Sequence, residues 1–179
     1  MGGPPPLGDL IRTVPDFPAP GIVFRDVTTL LAHGAGFAAS IDALATIAAE
    51  TGAEAIAGIE ARGFVFGAAT AAASRLPFLM LRKVGKLPVP ALGVDYALEY
   101  GHDRLELDPS TISAGQRVLL VDDLLATGGT ATAGVDLLRQ AGAAVTVAAF
   151  VVALPDLDGA ARLQAQGVTS RHLVTFAGG

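Results

Sequence analysis

The chain contains no cysteine, which excludes disulfides, thiolate nucleophiles and zinc–thiolate sites together. A basic surplus is also missing, since 12 Lys and Arg face 17 Asp and Glu for a formal net charge of −5. A nucleic-acid partner is therefore not expected, although a local basic cluster can still serve a small phosphate. The three histidines, His33, His102 and His172, are scattered without ligand spacing, so no metal site built from protein side chains is expected. The longest near-continuous apolar run, 141–154, is interrupted by Gly142 and Thr146 and falls short of the roughly 20 residues that span a bilayer. The opening "MGGPPPLGDL" has neither the basic start nor the apolar stretch of a targeting peptide. A cytoplasmic protein with no membrane partner is the expectation.

What is abundant is apolar side chain. At 51% hydrophobic residues over 179 positions, the composition predicts one domain, 1–179, with a sizeable core. Strand-like and helix-like segments alternate along it. "FAASIDALATIAAETG" puts Phe37, Ile41, Leu44 and Ala48 on one helical face, with Gly52 as its stop. "EAIAGIE" (54–60) is a short apolar run before the alanine-rich, helix-favouring "ARGFVFGAATAAASR". "PFLMLRKV" (77–84) reads as a strand, and "DRLELDP" as an exposed one. "QRVLLVDD" (116–123), "AAVTVAAFVVAL" (143–154) and "RHLVTF" (171–176) read as buried strands, separated by helices over 129–141 and 158–166. Valine-rich strands alternating with helices predict an α/β fold, a mostly parallel twisted sheet flanked by helices on both faces. Between Gly85 and Gly101 lies a proline- and glycine-rich stretch of weak periodicity, expected to be a long loop or a loop plus ribbon. Long loops in compact domains are usually functional.

The chemistry concentrates in "VLLVDDLLATGGTATAG" (118–134). Ligands of open parallel sheets bind beyond the carboxyl ends of the strands, where Asp122, Asp123 and the loop Ala126, Thr127, Gly128, Gly129, Thr130 are expected. The glycines let backbone N–H groups turn inward at a helix N-terminus, beside threonine hydroxyls, which makes a phosphate cradle. Carboxylates next to a phosphate make sense if they accept hydrogen bonds from ligand hydroxyls, and a ribose 5-phosphate presents both groups. Asp122 and Asp123 are expected to be exposed strand-end groups that contribute little to the core. Arg62, in "GIEARGF", is either a pyrophosphate clamp or half of a surface salt bridge. "RKVGK" adds Arg82, Lys83 and Lys86, which read either as a solvated charge run or as further cations for pyrophosphate. Two other motifs fail their context tests. "GAGFAA" (34–39) fits a loose dinucleotide pattern but follows no clear strand, and "VGKLP" lacks the rest of a P-loop.

The sequence resembles the type I phosphoribosyltransferases, and within them those that use adenine. The likeness runs through "VPDFPAPGIVFRDVTTLL", "IAGIEARGFVFGAA", "LRKVGKLP", "YALEYG" and "VLLVDDLLATGGT", in family order, and leaves out only "MGGPPP" and the final "VTFAGG". The resemblance implies the type I phosphoribosyltransferase fold, with a small N-terminal hood and base-pocket segment over 1–35 and a mobile lid loop over 85–101. It implies purine salvage: adenine and 5-phosphoribosyl 1-pyrophosphate (PRPP) give AMP and pyrophosphate, with Mg²⁺ bound to PRPP. Asp122 and Asp123 would hold the ribose hydroxyls and residues 126–130 the 5′-phosphate. Arg62, Lys83 and Lys86 would meet pyrophosphate. Arg82 would reach a partner subunit's site in a homodimer. Glu99, beside Tyr100 in the lid, would be an acid/base or positioning group, or else a surface glutamate. The backbone of Val23 and Arg25 would read adenine between Phe24 and Leu124. A non-proline cis peptide at Glu60–Ala61 is also implied. A transferase for hypoxanthine, xanthine or guanine, and a PRPP-sensing regulator without activity, are the alternatives.

Overall fold

In a computed structural model, the structure describes residues 5–97 and 101–177. The chain begins with a short 3₁₀ turn, Leu7–Leu10, and an antiparallel pair, β1 (Arg12–Pro15) and β2 (Val23–Asp26). A helical turn, α1 (Thr28–Leu31), leads into the long helix α2 (Gly34–Glu50). His33 caps α2, its Nδ1 accepting from the Gly36 N–H at 3.0 Å. The "GAGFAA" segment is thus a capped helix start preceded by helix, not a strand-to-helix turn.

The remaining elements build the main sheet. In chain order they are β3 (Ala55–Ile59), α3 (Arg62–Ser74), β4 (Phe78–Lys83), β5 (Leu92–Ala97), β6 (His102–Leu107), β7 (Val118–Leu125), α4 (Gly129–Gln140), β8 (Val147–Ala153), α5 (Gly159–Ala165) and β9 (Thr169–Thr175). The strand order is β5-β6-β4-β3-β7-β8-β9. β4, β3, β7, β8 and β9 are mutually parallel, while β6 and β5 add an antiparallel edge. Helices cover both faces. One face buries Phe66, Leu44, Ile47 and Val151 beneath α2 and α3; the other buries Phe150, Leu120, Leu137 and Leu163 beneath α4 and α5. The α/β class and the mostly parallel sheet expected from the alternating pattern are therefore present. Among the described residues, no helix is long and apolar enough to cross a membrane.

Several expectations need correction. β7 runs two residues past Asp123, pairing Leu124 with Val152 and Leu125 with Ala153, so the aspartates lie within the strand and not at its end. "RHLVTF" belongs to an edge strand, β9, all of whose residues are half-buried or exposed, because nothing pairs beyond it among the described residues. Conversely, the strand expected to be exposed, β6, buries Leu105 and Leu107 completely or nearly so, since its alternate residues turn to the core beneath α4. Of the 85–101 stretch, 85–91 is irregular and β5 pairs with β6, Tyr96 facing Asp103. Glu99 and Tyr100 lie outside the described residues.

Phe66, fully buried on α3, packs edge-on against Phe37 of α2 with ring centroids 5.9 Å apart. Removing it leaves a cavity between two helices and the sheet. Phe66→Ala should lower the unfolding free energy by about 3–5 kcal/mol, read as a drop in the urea midpoint at unchanged slope.

Candidate active site

The chain reverses its building direction between β3 and β7. From β3 the next strand, β4, is laid on one side, while β7 is laid on the other. At such a switch point the two following loops part and leave a crevice beyond the strand ends. A cavity of about 250 Å³ opens there, walled by Glu60, Ala61, Arg62, Lys83, Asp122, Asp123, Leu124 and residues 126–130. The fold thus gathers residues more than sixty positions apart around one space.

The loop 126–130, read from the sequence as a phosphate cradle, follows β7 directly. Gly128 takes φ +82°, a conformation that L side chains rarely adopt, and then α4 begins at Gly129. The loop is braced from outside by the start of α5. Gly159 donates its N–H to the Ala126 carbonyl at 3.1 Å, and a Cβ on Gly159 would stand 2.3 Å from that same oxygen. The opening of α4 presents main-chain N–H groups and the Thr127 and Thr130 positions to the cavity, the geometry of an anion cradle.

The acidic wall is more structural than expected. Asp123 is only 4% exposed and is engaged by the Arg62 guanidinium, whose Nε donates to its Oδ2. Asp122 Oδ1 accepts from the Asp123 N–H at 2.9 Å. Its neighbour across the crevice is Gly63 at the start of α3, where a Cβ would come within 2.7 Å of Asp122 Oδ1. Burial, and then the adjacent Asp123 charge, push the Asp122 carboxyl well above its ordinary value. Burial weakens the Arg62 cation, but the charge of Asp123 and the hydrogen bond to it outweigh that and raise its pKa. The salt-bridge reading of Arg62 is therefore present, with a buried partner in place of a surface one. Its side chain keeps 51% exposure and so retains donors for a ligand.

The other cations are distributed unevenly. Lys83 lines the cavity and is held from behind by a cross-strand pair that sequence reasoning missed: its Nζ donates to Asp103 and, at 2.6 Å, to the Tyr96 hydroxyl. Burial depresses the ammonium, yet these two bonds raise its pKa overall. Arg82 faces away from the cavity, its Nε donating to Glu60 Oε2 at 3.0 Å and its guanidinium lying 5.9 Å from the Phe64 ring. Glu60, also missed, further accepts from the Lys83 N–H at 2.9 Å, and its pKa is lowered chiefly by Arg82. Lys86 is exposed and acts here only through its charge on Glu60. The sequence signal for Glu60 was its place inside "GIEARGF"; for Asp103 and Tyr96 there was none, because their link to Lys83 exists only once β4, β5 and β6 pair. The Glu60–Ala61 peptide is cis, as implied by the resemblance. Of the base-pocket residues, Leu124 lines the cavity, and Phe24 meets it through Arg62, whose guanidinium lies 5.7 Å from the Phe24 ring. Val23 and Arg25 flank Phe24 on β2.

The two aspartates should behave oppositely in stability. Asp122 binds its proton more tightly in the fold than in the unfolded chain, so its ionisation costs stability as pH rises above about 3.8. Asp122→Asn removes that cost. It should raise the melting temperature at pH 7, by on the order of 2–4 °C for each kcal/mol relieved, and the gain should shrink as pH falls and wild-type Asp122 becomes protonated. Asp123→Asn strips Arg62 of its charge partner and should cost about 1–2 kcal/mol, the exposed half of Arg62 limiting the loss. Thermal melts from pH 4 to 8 check both signs.

Residues 26–169 match the family model described as the phosphoribosyl transferase domain. The chain is 62% identical over 172 residues to the adenine phosphoribosyltransferase of Novosphingobium aromaticivorans, covering 96% of this chain and 97% of that protein. A homologue from Erythrobacter litoralis of the same name matches at the same identity and coverage. Among solved structures, the adenine phosphoribosyltransferase of Thermoanaerobacter pseudethanolicus superposes with a TM-score of 0.89 at 42% identity, over 95% of this chain and 98% of that one. The Saccharomyces cerevisiae enzyme, complexed with adenine and an imino-altritol bisphosphate, also reaches 0.89, at 34% identity over 94% of this chain and 96% of its own. Agreement at this level along nearly the full length, on the fold that carries the cavity, settles the family: the chain belongs to the phosphoribosyltransferases.

Proposed function

We propose that the chain transfers the 5-phosphoribosyl group of PRPP to adenine, yielding AMP and pyrophosphate in purine salvage, with the cytoplasm as its location. One observation carries the reading: the paired aspartates, the 126–130 cradle, Arg62 and Lys83 wall a single cavity in a chain whose relatives, up to 62% identical, are adenine phosphoribosyltransferases. PRPP would seat its 5′-phosphate in the cradle and its ribose hydroxyls against Asp122 and Asp123. Its pyrophosphate would meet Arg62 and Lys83. As the C1′–O bond to pyrophosphate breaks, positive charge builds on the ribose ring and negative charge on the leaving group. The aspartates lie where the first develops and the cations where the second does, so preorganised electrostatics favours the transition state. Glu99, in the lid assigned to 85–101 with Tyr100, would position or exchange a proton with the purine while the closed loop keeps water from the ring.

Among the described residues, no three His, Cys, Asp or Glu side chains converge as a metal site. The cavity offers three carboxylates, of which Asp123 is committed to Arg62 and Glu60 to Arg82, which fits a Mg²⁺ that arrives on PRPP and keeps phosphate oxygens and water as ligands. Bound in that way, it would neutralise charge on the pyrophosphate.

Adenine would be read from β2. In a two-stranded ribbon each strand keeps one edge unpaired, and β1–β2 is such a ribbon. On that edge the Val23 carbonyl would accept from N6 and the Arg25 N–H would donate to N1, with Phe24 and Leu124 enclosing the ring. Hypoxanthine presents the opposite polarity at both atoms and leaves main-chain groups, which cannot rotate, facing like groups. Adenine should exceed hypoxanthine and guanine in kcat/KM by about 10⁴-fold in a competition assay, and Phe24→Ala should raise the adenine KM. Comparable values for hypoxanthine would move the protein to the other-purine reading.

A homodimer accompanies this function. Met80 and Val65 are large apolar residues left 45% and 42% exposed, and Met80 lies between Phe78 and Arg82 on one face of β4. A second copy covering this face would bring Arg82 towards its partner's site. Sedimentation should show a dimer, and Met80→Glu should shift it to monomer with a loss of activity.

A further inference from the structure

The last described residues, Phe176 and Ala177, lie outside the segments that resemble the family, yet they sit between two parts of the site. The Phe176 N–H donates to the Ala153 carbonyl at 3.1 Å. Ala153 ends β8, paired in register with Leu125, the residue immediately before the phosphate loop. From this anchorage the Phe176 ring lies under the Arg25 guanidinium, 4.4 Å from centroid to carbon. Arg25 Nη2 donates to the Ala177 carbonyl at 3.2 Å, and Nη1 to Thr13 Oγ1 at 2.6 Å on the neighbouring strand. A continuous set of contacts thus runs from the end of β7, through β8 and the tail, to β2 and β1.

Adjacent residues of a strand face opposite sides. Phe24 reaches toward Arg62 and the cavity, whereas the Arg25 side chain turns to the tail. Among the described residues the β1–β2 ribbon is not paired with the main sheet, so no hydrogen-bonded ladder there sets its distance from the phosphate loop. We propose that the C-terminal tail, through Phe176, Ala177 and the Arg25 side chain, is the positioning element that sets the base-reading strand at its working distance from the ribose-phosphate cradle. This rests on the reading of β2 as the adenine-recognition strand. Transfer requires the purine nitrogen and C1′ to be held at about 3–3.5 Å, and a displacement of about 1 Å costs on the order of 10²-fold in rate. A strand carried on a short ribbon needs an external stop, and the cation–π and hydrogen-bond contacts of Arg25 supply one. The Arg25 side chain, Phe176 and Ala177 touch no reacting atom in this account and act through the position of β2.

The test separates base from PRPP. Phe176→Ala and Arg25→Met, the latter keeping the backbone N–H, should each raise the adenine KM by about three- to tenfold, the scale of one half-buried cation–π contact, and lower kcat. The PRPP KM should stay within about twofold, because the cradle and Arg62 are untouched. Phe176→Tyr, which keeps the ring, should remain near the parent. If Phe176→Ala does not fold, Phe176→Leu retains the apolar contact without the π face and carries the same expectation. Adenine and PRPP KM values rising together, or an unmoved adenine KM with only a lower urea midpoint, would reduce the tail to general support and overturn the proposal. Phe24→Ala is the control. A raised adenine KM there with no change in Phe176→Ala and Arg25→Met overturns the tail's role alone, whereas an unmoved adenine KM in Phe24→Ala overturns the base-pocket reading and the tail's role with it.

Discussion

Two carboxylates on successive residues of a strand that enters the core need a counter-charge, and the contact between Arg62 and Asp123 supplies it. Around that contact the rest of the site is arranged. Asp123 is almost wholly enclosed, where an unpaired charge is costly. Arg62 reaches it from the first turn of α3, which comes close to β7 because Gly63 has no side chain to meet Asp122. The ladder between β3 and β7 brings the two sides together, and the pair then ties the start of α3 to the buried end of β7.

The same principle extends around the cavity. Arg82 is held by Glu60, and Lys83 by Asp103 and Tyr96. In the free protein each of these cations, like Arg62, already has a carboxylate partner. On the proposed reading, a phosphate-bearing ligand would join or replace existing pairs and would not enter a bare positive hole. That tempers the Coulombic gain on binding, and it keeps the wall ordered before the ligand arrives, so that fewer side chains must be fixed at the moment of association.

Much of this was legible in the sequence because it is local. The alternation of apolar strands with helices, the helix start at 129–130 and the phosphate loop between them depend on neighbours within a few residues. Asp122 and Asp123 were singled out as candidates for the same reason, but their burial was misjudged. Strand ends are set by partners, and β7 continues because Leu124 and Leu125 find Val152 and Ala153. The exposure of β9 follows likewise from its place at the sheet edge, which periodicity does not encode. Asp103, Tyr96 and the Arg25–Phe176 stack could not be found at all, since each joins segments that only tertiary pairing brings together.

Gly159 carries a lesson about reading variants. It lies some thirty positions beyond the Thr-Gly-Gly-Thr turn, in a stretch with no recognisable ligand motif, and yet its missing side chain is what leaves room for the Ala126 carbonyl and the Leu125 side chain. A scan that scores only the Thr-Gly-Gly-Thr signature would report an intact binding site in a chain that carries any other residue at 159. The motif is thus only half of the cradle, and the other half is written in a helix start that a motif search passes over.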